Sequence, residues 1–412
     1  MRPELMLLSM LLGVALVAMG CTSQPPPVSA PSADRADPEW QKVVDAARQE
    51  GRVLVYGTGF LRGVEGAMIA QEFQRIYGIS VDVVDGAGSP SFERLRQETK
   101  AGVPTADVFL ASPPWPTVVE KEGFLQSLQD KRLPVLKEPK SVWKVDPASM
   151  SDAYLIQAPI YPNGHLVINT RLLQSADYPK SFHELASDAR YIGKIAWVDP
   201  KTTGDVAFKW TIWGYIANGL SLEDVWAIYA NQKPALYADP PAEAEAVSRG
   251  EAAIAMGLST FESAAEAGAP LKVLRFASIP VVTNVSAFGL VKQAQHPNAA
   301  LVLMNWAISR EGQEFITQTR RAMSLRTDVP DRLPDVLQKA ELVGGADKGP
   351  AYVLAPVHAV FSADLHSKVE VWRRLPTGLP QAEFETAITT FVKEWEAANG
   401  GPMRQAIPFV ER

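Results

Sequence analysis

The 412-residue chain has one cysteine, Cys21, so no intramolecular disulfide can form and the fold must rest on buried apolar area. Its five histidines, at positions 165, 183, 296, 358 and 366, show no metal-ligand spacing. His296 belongs to a His-Pro-Asn helix start, which points to a structural role, and no metal site is expected. There is no G-x-S-x-G elbow, no H-E-x-x-H helix, no catalytic cysteine and no P-loop. His183-Glu184 is followed by Leu-Ala-Ser, without a second histidine. No catalytic residue and no cofactor are therefore nominated. Basic residues are not in excess: 40 Lys and Arg stand against 46 Asp and Glu, a net charge of −6, which argues against non-specific nucleic-acid binding. The apolar run Leu5–Met19 falls short of the roughly 20 residues of a membrane span.

That run does suit a signal-peptide core. It ends in Val17-Ala18-Met19-Gly20-Cys21, followed by Thr22-Ser23-Gln24-Pro25. A small residue before a lone cysteine resembles a bacterial lipobox, in which the cysteine is lipidated and becomes the new N-terminus. Two features depart from that pattern: Ala18 stands where leucine is usual, and Arg2 is offset by Glu4. An ordinary signal peptide or an uncleaved anchor is the alternative. Residues 22–38 are rich in Pro, Ser and Ala without an apolar period, so residues 21–38 read as a tether.

A hydrophobic fraction of 47% and a charged fraction of 21% describe an ordinary globular composition, and the length suggests about two to three domains. Strand patterns at Val53–Tyr56, Ile79–Val84 and Asp107–Ala111 alternate with helix patterns up to about Tyr77, over Phe92–Ala101 and from Val118. This alternation predicts an α/β domain with a largely parallel sheet. A second α/β unit follows, with strands at Lys194–Val198 and Ala252–Met256. Its helix patterns run over Val206–Asn218, Leu222–Ala230, Pro241–Arg249 and Phe261–Ala267. Flanking it, Ala158–Asn169 and Ile279–Val291 are β-like with a polar interruption, as expected of two strands that cross between lobes. His296–Thr319 is helical with a break near Ser309-Arg310-Glu311-Gly312. Leu333–Leu342 and Gln381–Ala398 read as helices, and Arg320–Pro330 and Gly344–Pro356 as irregular. No internal repeat is found.

In order and spacing, several stretches resemble the periplasmic solute-binding proteins of ABC importers, extracellular solute-binding family 1. The group concerned surrounds the ferric-iron, thiamine, polyamine and aminoethylphosphonate binders. Residues 51–84 (GRVLVYGTGFLRGVEGAMIAQEFQRIYGISVDVV) are similar to the family's first strand, helix and second strand. Thr105-Ala106-Asp107-Val108 is similar to its third strand, residues 180–200 to a segment ending "G-K-I…D-P", and residues 296–313 to an "H-P-N-A-A…E-G-Q" stretch. Together they span about residues 50–315. The resemblance implies a type II two-lobed fold, each lobe a mixed, mostly parallel sheet flanked by helices, with two hinge crossings. Lobe 1 is expected over residues 39–160, lobe 2 over 161–280, and a return to lobe 1 with C-terminal helices over 281–412, after a signal peptide at 1–20. It also implies a monomer at the periplasmic side of the cytoplasmic membrane, anchored by lipid, with a small-molecule ligand and a membrane permease as partners. A ligand-sensing lipoprotein would share the fold and remains an alternative.

Candidate ligand residues lie where loops enter helices. Lys201-Thr202-Thr203-Gly204 follows an apolar strand and precedes a helix pattern. A helix start leaves backbone N–H groups without partners and carries partial positive charge, and Lys201 adds a full one; a plain cap is the bland reading. Gly86, Gly88 and Ser89 form a second candidate, with Ser89 as N-cap before Pro90, and Thr58-Gly59-Phe60 a third. Ser112 and Trp115 follow the third strand. From the other lobe come Ser259, Thr260 and Glu262, and Thr283-Asn284 lies in the second crossing. Amide-rich helix starts favour a small carboxylate, phosphonate or other oxyanion, and Glu262 suits an amine on the same solute. In ferric-binding relatives two adjacent tyrosines hold the ion. Here the comparable stretch, Gly257–Glu262, has none, and loops 57–60 and 86–89 hold no His or Glu. Ferric iron is the alternative cargo.

Overall fold

The apolar run after Gly51 forms β1 (Arg52–Gly57), with Val53 and Val55 on one face and Leu54 and Tyr56 on the other. The computed structural model describes residues 37–410 except positions 58, 87, 104–105, 113–114, 130–132, 150, 164, 202–211, 213, 217–218, 257–260, 280, 345–351, 354–369 and 403–408. β1 pairs in parallel with β2 (Ser80–Val84) and with β3 (Val108–Ala111). β3 pairs antiparallel with β10 (Val281–Leu290), which also pairs with β4 (Tyr154–Asn163) and with β12 (Tyr352–Val353). β13 (Phe409–Val410) adds to β12, giving a seven-stranded sheet.

The second sheet has six strands in the order β11-β9-β5-β8-β6-β7. They are β5 (Leu166–Asn169), β6 (Ile195–Val198), β7 (Ala235–Tyr237), β8 (Ile254–Met256), β9 (Leu271–Phe276) and β11 (Glu341–Val343). β3, β5, β6 and β8 are buried along their whole length, because helices cover both faces. The mixed α/β architecture with two sheets is the expected fold class. Both expected crossings are present: β4 leaves the first sheet at Asn163 and β5 enters the second at Leu166, while β9 ends at Phe276 and β10 resumes in the first sheet at Val281.

One face of the first sheet is covered by α1 (Pro38–Glu50), α2 (Gly63–Tyr77), α9 (Pro297–Ile308) and α10 (Arg310–Arg320), through Trp40, Phe73, Trp306 and Ile316. The other face is covered by α3 (Gly88–Lys100) and α4 (Trp115–Lys121), through Phe92, Leu95 and Val119. The break expected near Ser309 separates α9 from α10: the Ser309 hydroxyl accepts the Gly312 N–H at 3.1 Å and so caps α10.

On the second sheet, α5 (Phe182–Ser187) and α6 (Leu222–Ala230) cover one face. α7 (Pro240–Arg249), Phe261 ahead of α8 (Glu262–Glu266), and α11 (Asp335–Gln338) cover the other. The last part of the chain serves both sheets. Trp372 of α12 (Glu370–Arg374) and Phe384, Ile388 and Trp395 of α13 (Gln381–Asn399) are buried in the second sheet's core, whereas β12 and β13 belong to the first sheet. Within Leu333–Leu342 the helix is only α11; Glu341 and Leu342 extend into β11, because pairing with Leu274 and Arg275 on the edge of β9 outweighs local helix preference.

Asp107 explains the acidic residue of the third-strand motif. Its fully buried carboxylate accepts the Leu54 N–H (2.8 Å) and the His296 N–H (2.8 Å), and meets His296 Nδ1 at 2.9 Å. One side chain thereby ties β1, the entry to β3 and the start of α9 together, and His296 has the structural role read from its helix-start motif.

Candidate functional site

Strand register places the strand ends that lead into the candidate loops along one edge of each sheet. Ala111, the last residue of β3, pairs with Ala287, so residues 281–286 of β10 run past the end of β3. In the second sheet Leu166, the first residue of β5, pairs with Met256, the last of β8, and β6 runs parallel to β8. The carboxyl ends of β1, β3, β6 and β8 therefore lie on the side where the chain passes between the sheets. In open α/β sheets ligands bind at that side.

The loop after β1 is built around Gly57. Its φ is +119°, and a Cβ there would fall 1.6 Å from the Leu110 carbonyl oxygen, so only glycine fits. The turn that follows is held from behind by Arg320 of α10, which donates to the Gly59 and Arg62 carbonyls, each at 3.0 Å. Phe60 is 1% exposed, and its ring packs in the first sheet's core. Thr58 lies outside the described residues.

Gly86 offers its carbonyl to the Ser91 hydroxyl at 3.3 Å. α3 begins at Gly88, so Ser89 and Pro90 sit in its first turn, whereas the expected scheme has Ser89 as the cap. Trp115 opens α4, against the expectation of a loop position, and its half-buried ring leans on Phe92 with centroids 5.7 Å apart.

Ser112 belongs to a polar row that the sequence reading missed. Its Oγ lies 3.4 Å from Ser286 Oγ of β10. Ser286 pairs directly with Gln157 of β4, and directly opposed residues of paired strands share a face. The row Ser112–Ser286–Gln157 thus crosses the sheet just past the end of β3 and within β10 and β4. Gln157 is 0% exposed, and neither atom of its amide has a hydrogen-bond partner among the described residues. A glutamine within Tyr154-Leu155-Ile156-Gln157-Ala158-Pro159-Ile160 was the available signal. Thr283 and Asn284 lie in β10 opposite Pro162 and Tyr161, and a β-bulge separates Asn284 from Ser286. Bulges re-aim side chains beside sites.

From the second sheet, Lys201 is exposed, and its N–H donates to Asp199 Oδ1 at 2.9 Å. Thr202, Thr203, Gly204, Ser259 and Thr260 lie outside the described residues, as does Cys21. Glu262 opens α8, where burial pushes its carboxyl above the ordinary range. At the end of β8, Glu243 of α7 accepts the Met256 N–H at 3.0 Å, and burial pushes its carboxyl well up. Among the described residues one ion pair joins the two lobes: Arg321, held at φ +53° after α10, donates to Glu266 of α8 at 2.6 Å. Among the described residues, no group of three or more His, Cys, Asp or Glu is placed to hold a metal, and no helix is long and apolar enough to cross a membrane.

A family model for bacterial extracellular solute-binding proteins matches residues 68–344. The chain belongs to that family. Solved structures share the fold of this solute-binding protein. Iron-bound HitA from Pseudomonas aeruginosa matches with a TM-score of 0.52 and 20% identity over 68% of this chain and 88% of its own. AfuA from Actinobacillus pleuropneumoniae, with fructose-6-phosphate bound, gives a TM-score of 0.53 and 19% identity over 71% and 91%. The substrate-binding protein of an ABC transporter from Agrobacterium tumefaciens gives 0.58 and 16% over 80% and 96%. No curated protein sequence matches the chain. Identities this low carry the fold and leave the solute to be argued from the site.

Proposed function

We propose that this solute-binding protein is the capture component of an ABC importer. It acts at the outer face of the cytoplasmic membrane, tethered by a lipid on Cys21, and hands its cargo to a permease. The observation that supports this most is the shared location of the strand ends. The carboxyl ends of β1, β3, β6 and β8 lie on the side where β4–β5 and β9–β10 cross. A solute touching both lobes only when they close shifts the balance toward the closed form by its differential affinity. The protein acts as a binder and not as an enzyme.

The favoured cargo is a small anion, organic or phosphonate-like, met by the helix starts and Lys201 on one lobe and by Ser112 and the 57–60 turn on the other. Ferric iron is the second reading, prompted by the likeness to iron-bound HitA. A thermal-shift screen of residues from about 36 onward, against organic acids, phosphonates, phosphate esters, thiamine, polyamines and Fe(III), tests the assignment. A ligand at a hundredfold excess over its Kd adds about 2.7 kcal/mol. Replacing Lys201, Thr202 and Thr203 together by alanine is expected to abolish binding of the hit and leave the empty protein's Tm nearly unchanged. Retained affinity would reduce that loop to a helix cap.

A further inference from the structure

The geometry points to Ser112–Ser286–Gln157 as a neutral hydrogen-bonding subsite that reads hydroxyl groups on the solute, so that the cargo is a hydroxylated anion. This rests on the solute-binding reading above and specifies the chemistry of its first-lobe wall. A primary amide has two donors and an acceptor with two lone pairs. At Gln157 all of these are buried, and among the described residues none finds a partner. Leaving a buried amide unpaired costs stability. A buried group of this kind calls for a partner from outside the chain, and a solute hydroxyl is one that fits.

The placement indicates the role. The row stands one residue beyond Ala111, the last of β3, at the point from which β10 and β4 run on as a pair toward the crossings. The Ser112 and Ser286 hydroxyls are 3.4 Å apart, and each can turn its proton outward or inward. A hydroxyl group both donates and accepts, as do an amide and a serine. Such a row matches vicinal hydroxyls better than a bare oxyanion, which only accepts. It also offers no anionic oxygen to a hard trivalent cation. A site built to hydrogen-bond a hydroxyl rejects the analogue lacking it, because its own polar groups then stay unpaired.

The test uses the full-length chain. Isothermal titration calorimetry compares fructose 6-phosphate and glycerol 3-phosphate with n-propyl phosphate, on wild type, Gln157→Met and Ser286→Ala. Wild type is expected to bind a hydroxylated ester at least tenfold more tightly than n-propyl phosphate. Gln157→Met should erase that preference, leave n-propyl phosphate within twofold, and hold or raise the Tm of the empty protein. Ser286→Ala, the smaller change, should lose three- to tenfold on the hydroxylated ester alone. If Gln157→Met leaves every affinity unchanged, the amide is structural and the subsite is overturned. Equal wild-type binding of propyl and sugar phosphates would also overturn it, with the solute-binding function standing. Binding of Fe(III) or thiamine and of no phosphate ester would overturn the hydroxylated-anion class together with the anion reading. If nothing binds in either assay, the capture function fails.

Discussion

Replacing Asp107 by alanine tests the physical account of the first lobe most directly. The carboxylate is 0% exposed and accepts two backbone N–H groups, from Leu54 and His296, both at 2.8 Å. Alanine leaves both donors without a partner. Each orphaned buried donor costs about 1–3 kcal/mol, so the loss should be about 2–6 kcal/mol. That is a large share of the roughly 5–15 kcal/mol of a typical native state. Urea unfolding followed by tryptophan fluorescence measures it as a lowered midpoint. Asp107→Asn keeps one acceptor oxygen and turns an amide nitrogen toward a donor, so it should lose about half as much. His296→Ala removes only the ring contact at 2.9 Å, and the ring is partly wet, so about 1 kcal/mol is expected. An Asp107→Ala protein within about 0.5 kcal/mol of wild type would refute the reasoning, because two buried N–H groups would then have lost their acceptor at almost no cost.

Arg326 is 2% exposed, donates to Glu138 at 2.5 Å and to Asp328 at 2.8 Å, and lies over the Trp143 ring. Both carboxylates are partly wet, so Arg326→Met should cost about 1–3 kcal/mol, below the 3–5 of a fully buried pair. Arg326 holds the Asp328 carboxyl below its ordinary value of 3.8, so this contribution is full above that pH and lost as pH falls through the lowered value. Acid unfolding of wild type and Arg326→Met should therefore converge at low pH. Glu243 has the opposite sign. Burial raises its carboxyl well above the ordinary 4.5, so the native state holds the proton longer and stability declines as pH rises above 4.5. Glu243→Gln should flatten that decline in a Tm–pH series, and an unchanged slope would contradict the assignment. Arg321→Gly relaxes a left-handed residue and removes the pair with Glu266. Any salt dependence of the wild-type radius of gyration should vanish in the variant, as read by X-ray scattering.

The strands were legible because they are continuous apolar runs bounded by glycine or proline, as at Val53–Tyr56 and Ile195–Val198, with both faces covered. The crossings were legible because a strand that changes lobe must break its pattern midway. The Ser309 break was legible from capping chemistry alone. The polar row was not. Ser112 and Ser286 are 174 residues apart, and their adjacency exists only through the antiparallel register of β3 and β10. Arg320 reaches Gly59 across 261 residues, which no local pattern encodes. Phe60 shows the converse: from sequence it joins a ligand loop, yet its ring completes a core that only tertiary packing reveals. β11 was hidden because three residues of edge pairing follow directly on a helix turn.

The division of the C-terminal residues between the two sheets bears on how the molecule is made. Trp372, Phe384 and Ile388 complete the interior beneath the second sheet, and Phe409–Val410 borders the first. A polypeptide emerging from its N-terminus therefore holds the buried residues of the first sheet's interior once Leu325 has been made, whereas the second waits for Trp372 to Trp395. The first half can mature ahead of the second, and a product cut short before Trp372 would expose oily surface on the second sheet.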